Sequence, residues 1–321
     1  MLRAETELYA LSWESPRKFL GCAGLVPASR IVIFGAPLDA TASYRPGARF
    51  GPARIREVSQ VLEEFSPVLG ADIASANVCD LGDLVLPLGD VTGSLEIIAT
   101  CSRSIIESGR IPLMLGGEHL VTLPAVRAAS SVYPGLVVVG LDAHLDRRDE
   151  YLGQKLSHAT VLRRVSEAVG EENVFHVGAR SWTPVEIHGI RDQNALFQVE
   201  KAAELLAVEL GDRPVYVSID IDILDPAYAP GTGAPEPGGI TSAELLGTVR
   251  ALAGMNVVAA DLVEVSPPYD SADITAIAAA KIVREAVIAL GSRRGRGGAS
   301  LRGVRVGQHD FESGGRHPRE A

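Results

Sequence analysis

Short apolar runs alternate with longer stretches of helical periodicity along most of this chain, and that alternation limits the folds open to it. The runs cover residues 30–35, 77–83, 111–115, 135–140, 173–178, a weaker 195–198, 214–222 and 257–264. The most apolar of them, such as Gly135-Leu136-Val137-Val138-Val139-Gly140, read as strands buried on both faces. Helical spacing covers 52 to about 65, 94–108, 123–130, 157 to about 169, a segment closing near 210, 241–252 and 274–290. Strand then helix, repeated with about eight strands, predicts an α/β protein: a mostly parallel sheet with helices on both faces, three layers in all. The segment before Arg30 reads as irregular. No internal repeat and no domain boundary stand out, so residues 1–290 are expected to form one domain. Residues 291–321 are rich in Gly and Arg with little to bury, and are expected to be a disordered tail.

Several runs end in groups that bind cations. The run 135–140 continues into Leu141-Asp142-Ala143-His144-Leu145-Asp146. In extended chain alternate residues point the same way, so Asp142, His144 and Asp146 project from one side just past the strand. Open α/β sheets place their chemistry at that edge. The run 214–222 ends in Ser218-Ile219-Asp220-Ile221-Asp222, again with carboxylates at i and i+2, and 111–115 opens into Gly116-Gly117-Glu118-His119. Taken singly, each is as well explained by a solvated acidic loop. If the strands are neighbours, four carboxylates and two imidazoles converge on one crevice. Such packing of anions without counter-charge costs several kcal/mol, and a site for more than one divalent ion is the simplest way to stabilise it.

Other positions are less specific. Ser157 suits an N-cap, which places His158 in the first helical turn facing the strand ends; a histidine there is more often exposed or capping. His176, mid-strand among apolar residues, reads as core. Asp225 before Pro226 reads as a turn residue. The proline-stiffened loop 223–235 reads as a wall around a site. The Gly/Pro/Arg-rich loop 44–52 suits packing against the active face or a subunit contact better than phosphate binding.

A net charge of −10 disfavours nucleic acid and suits small cationic partners. Three cysteines (Cys22, Cys79 and Cys101) without CxxC spacing suggest a reducing compartment and no thiolate zinc site. There is no apolar leader at the N-terminus and no run long enough to cross a bilayer, so a cytoplasmic location without a membrane partner is expected. Neither GxGxxG nor GxxxxGK[ST] follows a strand, which argues against a nucleotide-binding module.

In combination and in order, Gly116-Gly117-Glu118-His119, Asp142-Ala143-His144-Leu145-Asp146, Ser157-His158, Ser218-Ile219-Asp220-Ile221-Asp222-Ile223-Leu224-Asp225-Pro226 and Pro230-Gly231-Thr232-Gly233 resemble the ureohydrolase family, which includes arginases and agmatinases. The resemblance runs from roughly Ile31 to Leu290. Detail such as Ser43-Tyr44-Arg45-Pro46-Gly47-Ala48-Arg49-Phe50-Gly51-Pro52 and Asp261-Leu262-Val263-Glu264-Val265 is most similar to its bacterial agmatinase branch. The resemblance implies a three-layer α/β/α fold with an eight-stranded, mostly parallel sheet. It implies two Mn²⁺ ions bridged by hydroxide and held by His119, Asp142, His144, Asp146, Asp220 and Asp222. His158 then matches the proton-transfer histidine, and Glu264 the acid facing the substrate guanidinium. The implied reaction converts agmatine and water to putrescine and urea. Guanidinobutyrate or arginine are alternative substrates, and Arg147 and Arg148 are the groups that would meet an acid tail. The rival of another class is a metal-bound but inactive assembly or regulatory protein. Relatives form trimers or hexamers, which implies a homo-oligomer. The chain departs from many relatives in having Glu118 for Asp, Leu120 for Ser and Ala234 for Thr.

Overall fold

The computed structural model describes residues 2–14, 17–187, 190 and 199–292. In chain order the elements are α1 (Leu2–Ala10), β1 (Trp13–Glu14), β2 (Ile31–Ala36), α2 (Gly51–Ser59), β3 (Phe65–Ser66), β4 (Ala71–Asp72), β5 (Val78–Leu84), α3 (Val91–Glu107), β6 (Ile111–Gly116), α4 (Thr122–Val132), β7 (Val137–Leu141), α5 (Val161–Val169), β8 (Val174–Val177), α6 (Val199–Leu210), β9 (Val215–Asp220), α7 (Ser242–Leu252), β10 (Val257–Val263) and α8 (Ile274–Gly291), with short 3₁₀ turns between several of them. The main sheet has eight strands in the order β1-β5-β2-β6-β10-β9-β7-β8. Only the edge pair β1–β5 is antiparallel.

The continuous apolar runs are explained by this arrangement. Along β2, Ile31 and Ile33 point into one core, shared with α2, α6, α7 and α8, while Val32 and Phe34 point into a second, shared with α3, α4 and α5. Every β2 residue is buried, and a side chain the size of Ile or Phe contributes about 1.5–3 kcal/mol on full burial. The three-layer α/β/α expectation therefore holds. Helix starts are set locally. Thr241 and Glu244 form a reciprocal capping box at α7, the Asp90 side chain caps α3, and Pro52 sits in the first turn of α2.

Four expectations need correction or fall elsewhere. The segment before Arg30 is not irregular throughout. It contains α1, whose Ala4 and Leu8 are buried one turn apart, and β1, which supplies the antiparallel edge strand. A two-residue strand is too short to show any alternation. The helix from Pro52 ends at Ser59, because Phe65–Ser66 leaves to pair with Ala71–Asp72 and Ser66 Oγ donates to the buried Glu285 carboxylate at 2.9 Å. The strand expected at 195–198 and residues 293–321 of the tail expected at 291–321 lie outside the described residues, while Gly291 is still the last residue of α8.

Candidate metal centre

Four adjacent strands, β6-β10-β9-β7, deliver the side chains singled out above from their carboxyl ends. After β6 the chain passes Leu38 so closely that a Cβ on Gly117 would stand 1.9 Å from the Leu38 carbonyl oxygen. Only glycine fits there. A 3₁₀ turn, His119–Val121, follows and brings His119 inward. After β7, Asp142 N donates to the Val177 carbonyl at 3.0 Å, and His144 N folds back on Asp142 Oδ1 at 2.6 Å. After β9, Asp222 N donates to Asp220 Oδ1 at 2.9 Å, and Ala143 N donates to Asp222 Oδ1 at 3.1 Å, which locks the β7 and β9 exits together.

Five of the six expected donors form two triads that share Asp142. His119, Asp142 and Asp146 form one, and Asp142, His144 and Asp222 the other, with donor atoms in each within 4.8 Å of one another. His119 Nδ1 lies 3.1 Å from Asp142 Oδ2, 3.1 Å from Asp146 Oδ2 and 3.4 Å from Asp220 Oδ2. His144 Nδ1 lies 2.9 Å from Asp222 Oδ2 and 3.6 Å from Asp142 Oδ1. Asp142 thus stands between the triads, and Asp220 adds a carboxylate beside His119. The alternation that put Asp142, His144 and Asp146 on one side is broken at Asp146, whose backbone is left-handed (φ 49°); the turn, not the strand pleat, brings it in. Glu264 is also left-handed (φ 66°). Such conformations at non-glycine residues cost about 1–3 kcal/mol each and cluster at functional sites.

The electrostatics are those of a cluster short of positive charge. Burial, then the neighbouring Asp142, push Asp146 up to about 6. Burial pushes Glu264 up to about 8 and holds Asp220 well above the usual carboxylate range. Burial disfavours a charged His144, but Asp222 and Asp142 outweigh it and push the ring up to about 12. Asp142 Oδ2 is buried and makes no hydrogen bond. Protons can relieve part of this repulsion. Oxygen and imidazole donors without thiolate, converging from separate strand ends, suit hard divalent cations, so the residues fit a two-metal site.

The centre forms the floor of a cavity of about 430 Å³ whose walls include Tyr44, Arg45, Arg148, Tyr151, Trp182 and Ala234. His158 lies on its wall, where Ser157 Oγ caps the turn and Thr160 completes a capping box. Thr41 Oγ1 accepts from His158 N at 3.0 Å and lies 3.3 Å from its Nδ1. Burial lowers the His158 pKa, so the ring is neutral near pH 7. Glu264 Oε1 accepts from His119 N at 2.7 Å, a hold that does not depend on residue 234. Loop 44–52 packs against this face, as its composition suggested. Asp225 holds its turn by accepting from Ala227, Gly238 and Gly239 amides, and His176 is buried in the sheet with burial taking it down to about 3. Arg147 is buried against the Glu186 carbonyl and the Glu171 carboxylate, while Arg148 lies over the Tyr151 ring at 5.0 Å in the cavity wall.

Sequence reasoning passed over a buried group behind His119. Ser218 Oγ lies 3.1 Å from His119 Nε2 and donates to Asp261 Oδ1 at 2.7 Å. Tyr216 and Thr122 hydroxyls both donate to Asp261 Oδ2, at 2.6 and 2.8 Å. The available signal was a carboxylate inside the apolar run Val257–Val263, opposite a run with Tyr216 and Ser218 on one face.

Fold and donor set define a class: α/β proteins that gather cation-binding carboxylates and imidazoles at the carboxyl edge of a parallel sheet. Residues 29–289 match the model of the Arginase family, and the chain belongs to that family. Membership implies a site for two divalent metal ions. The chain is 48% identical over 265 residues to an agmatinase of Bacillus anthracis, covering 81% of this chain and 91% of that one. Among solved structures it superposes on proclavaminate amidino hydrolase from Streptomyces clavuligerus with a TM-score of 0.80 at 32% identity, covering 87% of this chain and 98% of that one. It superposes on agmatine ureohydrolase of Thermoplasma volcanium with a TM-score of 0.77 at 31% identity, covering 89% and 97%. No described helix is long and apolar enough to cross a membrane.

Proposed function

We propose that this chain hydrolyses agmatine to putrescine and urea, with two Mn²⁺ ions held by His119, Asp142, His144, Asp146, Asp220 and Asp222. The observation that carries the reading is the meeting of two donor triads through Asp142 at the floor of a cavity that also presents His158 and Glu264. A guanidinium carbon is a poor electrophile, because its positive charge is shared over three nitrogens. Two divalent cations supply the Lewis acidity that brings the pKa of water down toward neutrality. Glu264, held by the His119 amide, pairs with the substrate guanidinium through charge-assisted hydrogen bonds and fixes its orientation. His158, neutral at rest, takes up a proton as water attacks and gives it to the nitrogen of the departing amine. Atoms balance: one water enters, its oxygen becomes the urea oxygen, and its two protons both end on the leaving nitrogen, which departs as an ammonium while urea keeps the four hydrogens its nitrogens already carried.

A dicationic substrate suits the acidic chain. Arg148 in the cavity wall favours a second reading, a guanidino acid such as 4-guanidinobutyrate. A panel of agmatine, 4-guanidinobutyrate and arginine, assayed for urea with Mn²⁺ present, decides between them. Highest kcat/KM on agmatine is expected. Higher kcat/KM on the acid selects the second reading, and no urea from any member rejects the enzyme reading in favour of an inactive metal-binding protein. We read residues 1–290 as one catalytic domain assembling as a homo-oligomer. The unpaired cysteines Cys22, Cys79 and Cys101 suit the reducing cytoplasm.

A further inference from the structure

A hydroxyl has one proton to give, and counting protons behind His119 gives its hydrogen bonds a direction. Asp261 is 1% exposed and lies on β10, paired in register with Ser218 on β9. Its carboxylate is met by three hydroxyls: Ser218 on Oδ1, Tyr216 and Thr122 on Oδ2. With its proton committed to Asp261, Ser218 Oγ can meet His119 Nε2 at 3.1 Å only as an acceptor. His119 Nε2 then carries the hydrogen. Nδ1, the atom that faces Asp142, Asp146 and Asp220, is then the nitrogen free to turn its lone pair to a cation. Without a cation these carboxylates hold a proton on Nδ1, which lies within hydrogen-bond distance of Asp146 Oδ2 at 3.1 Å, and a cation between them takes that proton's place.

We propose that Asp261, acting through Ser218, is a positioning residue that keeps a hydrogen on His119 Nε2, so that Nδ1 is the nitrogen aimed at the metal site and the one that gives its proton up to an ion. Tyr216 and Thr122 hold Asp261 in place. Because the His119 backbone amide also holds Glu264, one buried chain of hydrogen bonds sets both a metal donor and the acid that faces the substrate. The inference rests on the reading of His119 as a ligand. A hydrogen-bonded partner of this kind raises ligand basicity and restricts the ring, and its removal costs about 10–100-fold in metal affinity.

The test is a titration of the full-length, metal-stripped protein with Mn²⁺, reading free ion by its electron paramagnetic resonance signal. Ser218→Ala and Asp261→Asn are each expected to weaken one of the two Mn²⁺ sites by about 10–100-fold and to leave the other near its wild-type affinity. Ser218→Thr, which keeps the hydroxyl, is expected to restore binding, and Tyr216→Phe, which removes one donor to Asp261, to weaken it less. Wild-type affinity in both Ser218→Ala and Asp261→Asn, equal weakening of both sites, or a loss that Ser218→Thr does not recover overturns the proposal. His119→Ala separates the two layers. If it loses an ion while Ser218→Ala binds normally, the positioning role is wrong and the ligand reading stands. If it keeps both ions, the ligand reading itself is wrong.

Discussion

Arg56, Asp80 and Asp83 form one buried charge cluster, and the six donors at the carboxyl edge of the sheet form another. In the first, Arg56 and Asp80 side chains are fully buried, and the guanidinium meets Asp80 with two hydrogen bonds, at 2.7 and 3.0 Å. Asp83 and the Gly82 carbonyl take two more of its protons, and the Phe19 and Gly82 amides complete Asp80. Four of the five guanidinium N–H groups are hydrogen-bonded, and neither Asp80 oxygen is without a donor. At the carboxyl edge, four aspartates share two histidines, Asp142 Oδ2 has no hydrogen bond, and two backbones are strained. The first cluster is finished by folding. The second needs something from solvent, and that separates a structural ion network from a binding site more reliably than the number of buried charges.

The sharpest way to break this contrast is to compare substitutions inside the second cluster with one beside it. Asp142→Ala, the carboxylate common to both triads, is expected to lose bound metal and bring urea release down to background. His158→Ala is expected to keep its metal by elemental analysis while kcat falls about 10²–10⁴-fold, the usual loss for a general acid–base group. Full metal occupancy in Asp142→Ala, or metal loss in His158→Ala, would contradict the assignment.

The first cluster should respond in the opposite sense. Arg56→Ala leaves Asp80 buried without its counter-charge and is expected to cost about 3–5 kcal/mol in denaturant unfolding. Mn²⁺ stoichiometry of the folded fraction should stay unchanged. A stable Arg56→Ala protein that has lost metal would erase the distinction.

The smallest expected effect is a pH dependence confined to the stripped protein. Asp146, near 6, and Glu264, near 8, are raised by burial above their unfolded values. A raised group contributes stability that is complete below its unfolded pKa and is lost as pH rises through the folded one. His144, pushed up to about 12, acts in the same sense above its unfolded pKa. Asp142 is lowered, so its contribution is already complete above the ordinary carboxylate range and does not oppose the trend. Chelated protein is therefore expected to lose stability as pH rises from 7 to 8, above the range in which His158 and His176, both lowered by burial, act the other way, and saturating Mn²⁺ to flatten the slope. Stability that rises with pH over that range in chelator would show that the cluster is not short of positive charge.

Much of the centre was legible because strand ends carry it. Carboxylates at i and i+2 after an apolar run, as in Asp220-Ile221-Asp222, mark a strand exit, although Asp222 itself lies in the 3₁₀ turn Ile221–Ile223 and not in the strand. Ser157 and Thr160 fix the turn that holds His158 by contacts within four residues. The run of buried residues in β2 announced a sheet covered on both faces. The short edge strand β1 and the early exit of α2 were not legible, since each is set by partners distant in the chain: Leu84 and Asp83 for β1, and Glu285 for Ser66.

The chain alone determined which chemistry each strand end offers, because side-chain direction along a strand and around a cap follows from local backbone geometry. It also determined the parallel three-layer plan, through apolar runs that only a doubly covered sheet can bury. Only the tertiary structure decided that β10 lies between β6 and β9. That order places Asp261 against Ser218, Ser218 against His119, and the His119 amide against Glu264. Strand order is a matter of packing between segments far apart in sequence, and no spacing within one segment encodes it.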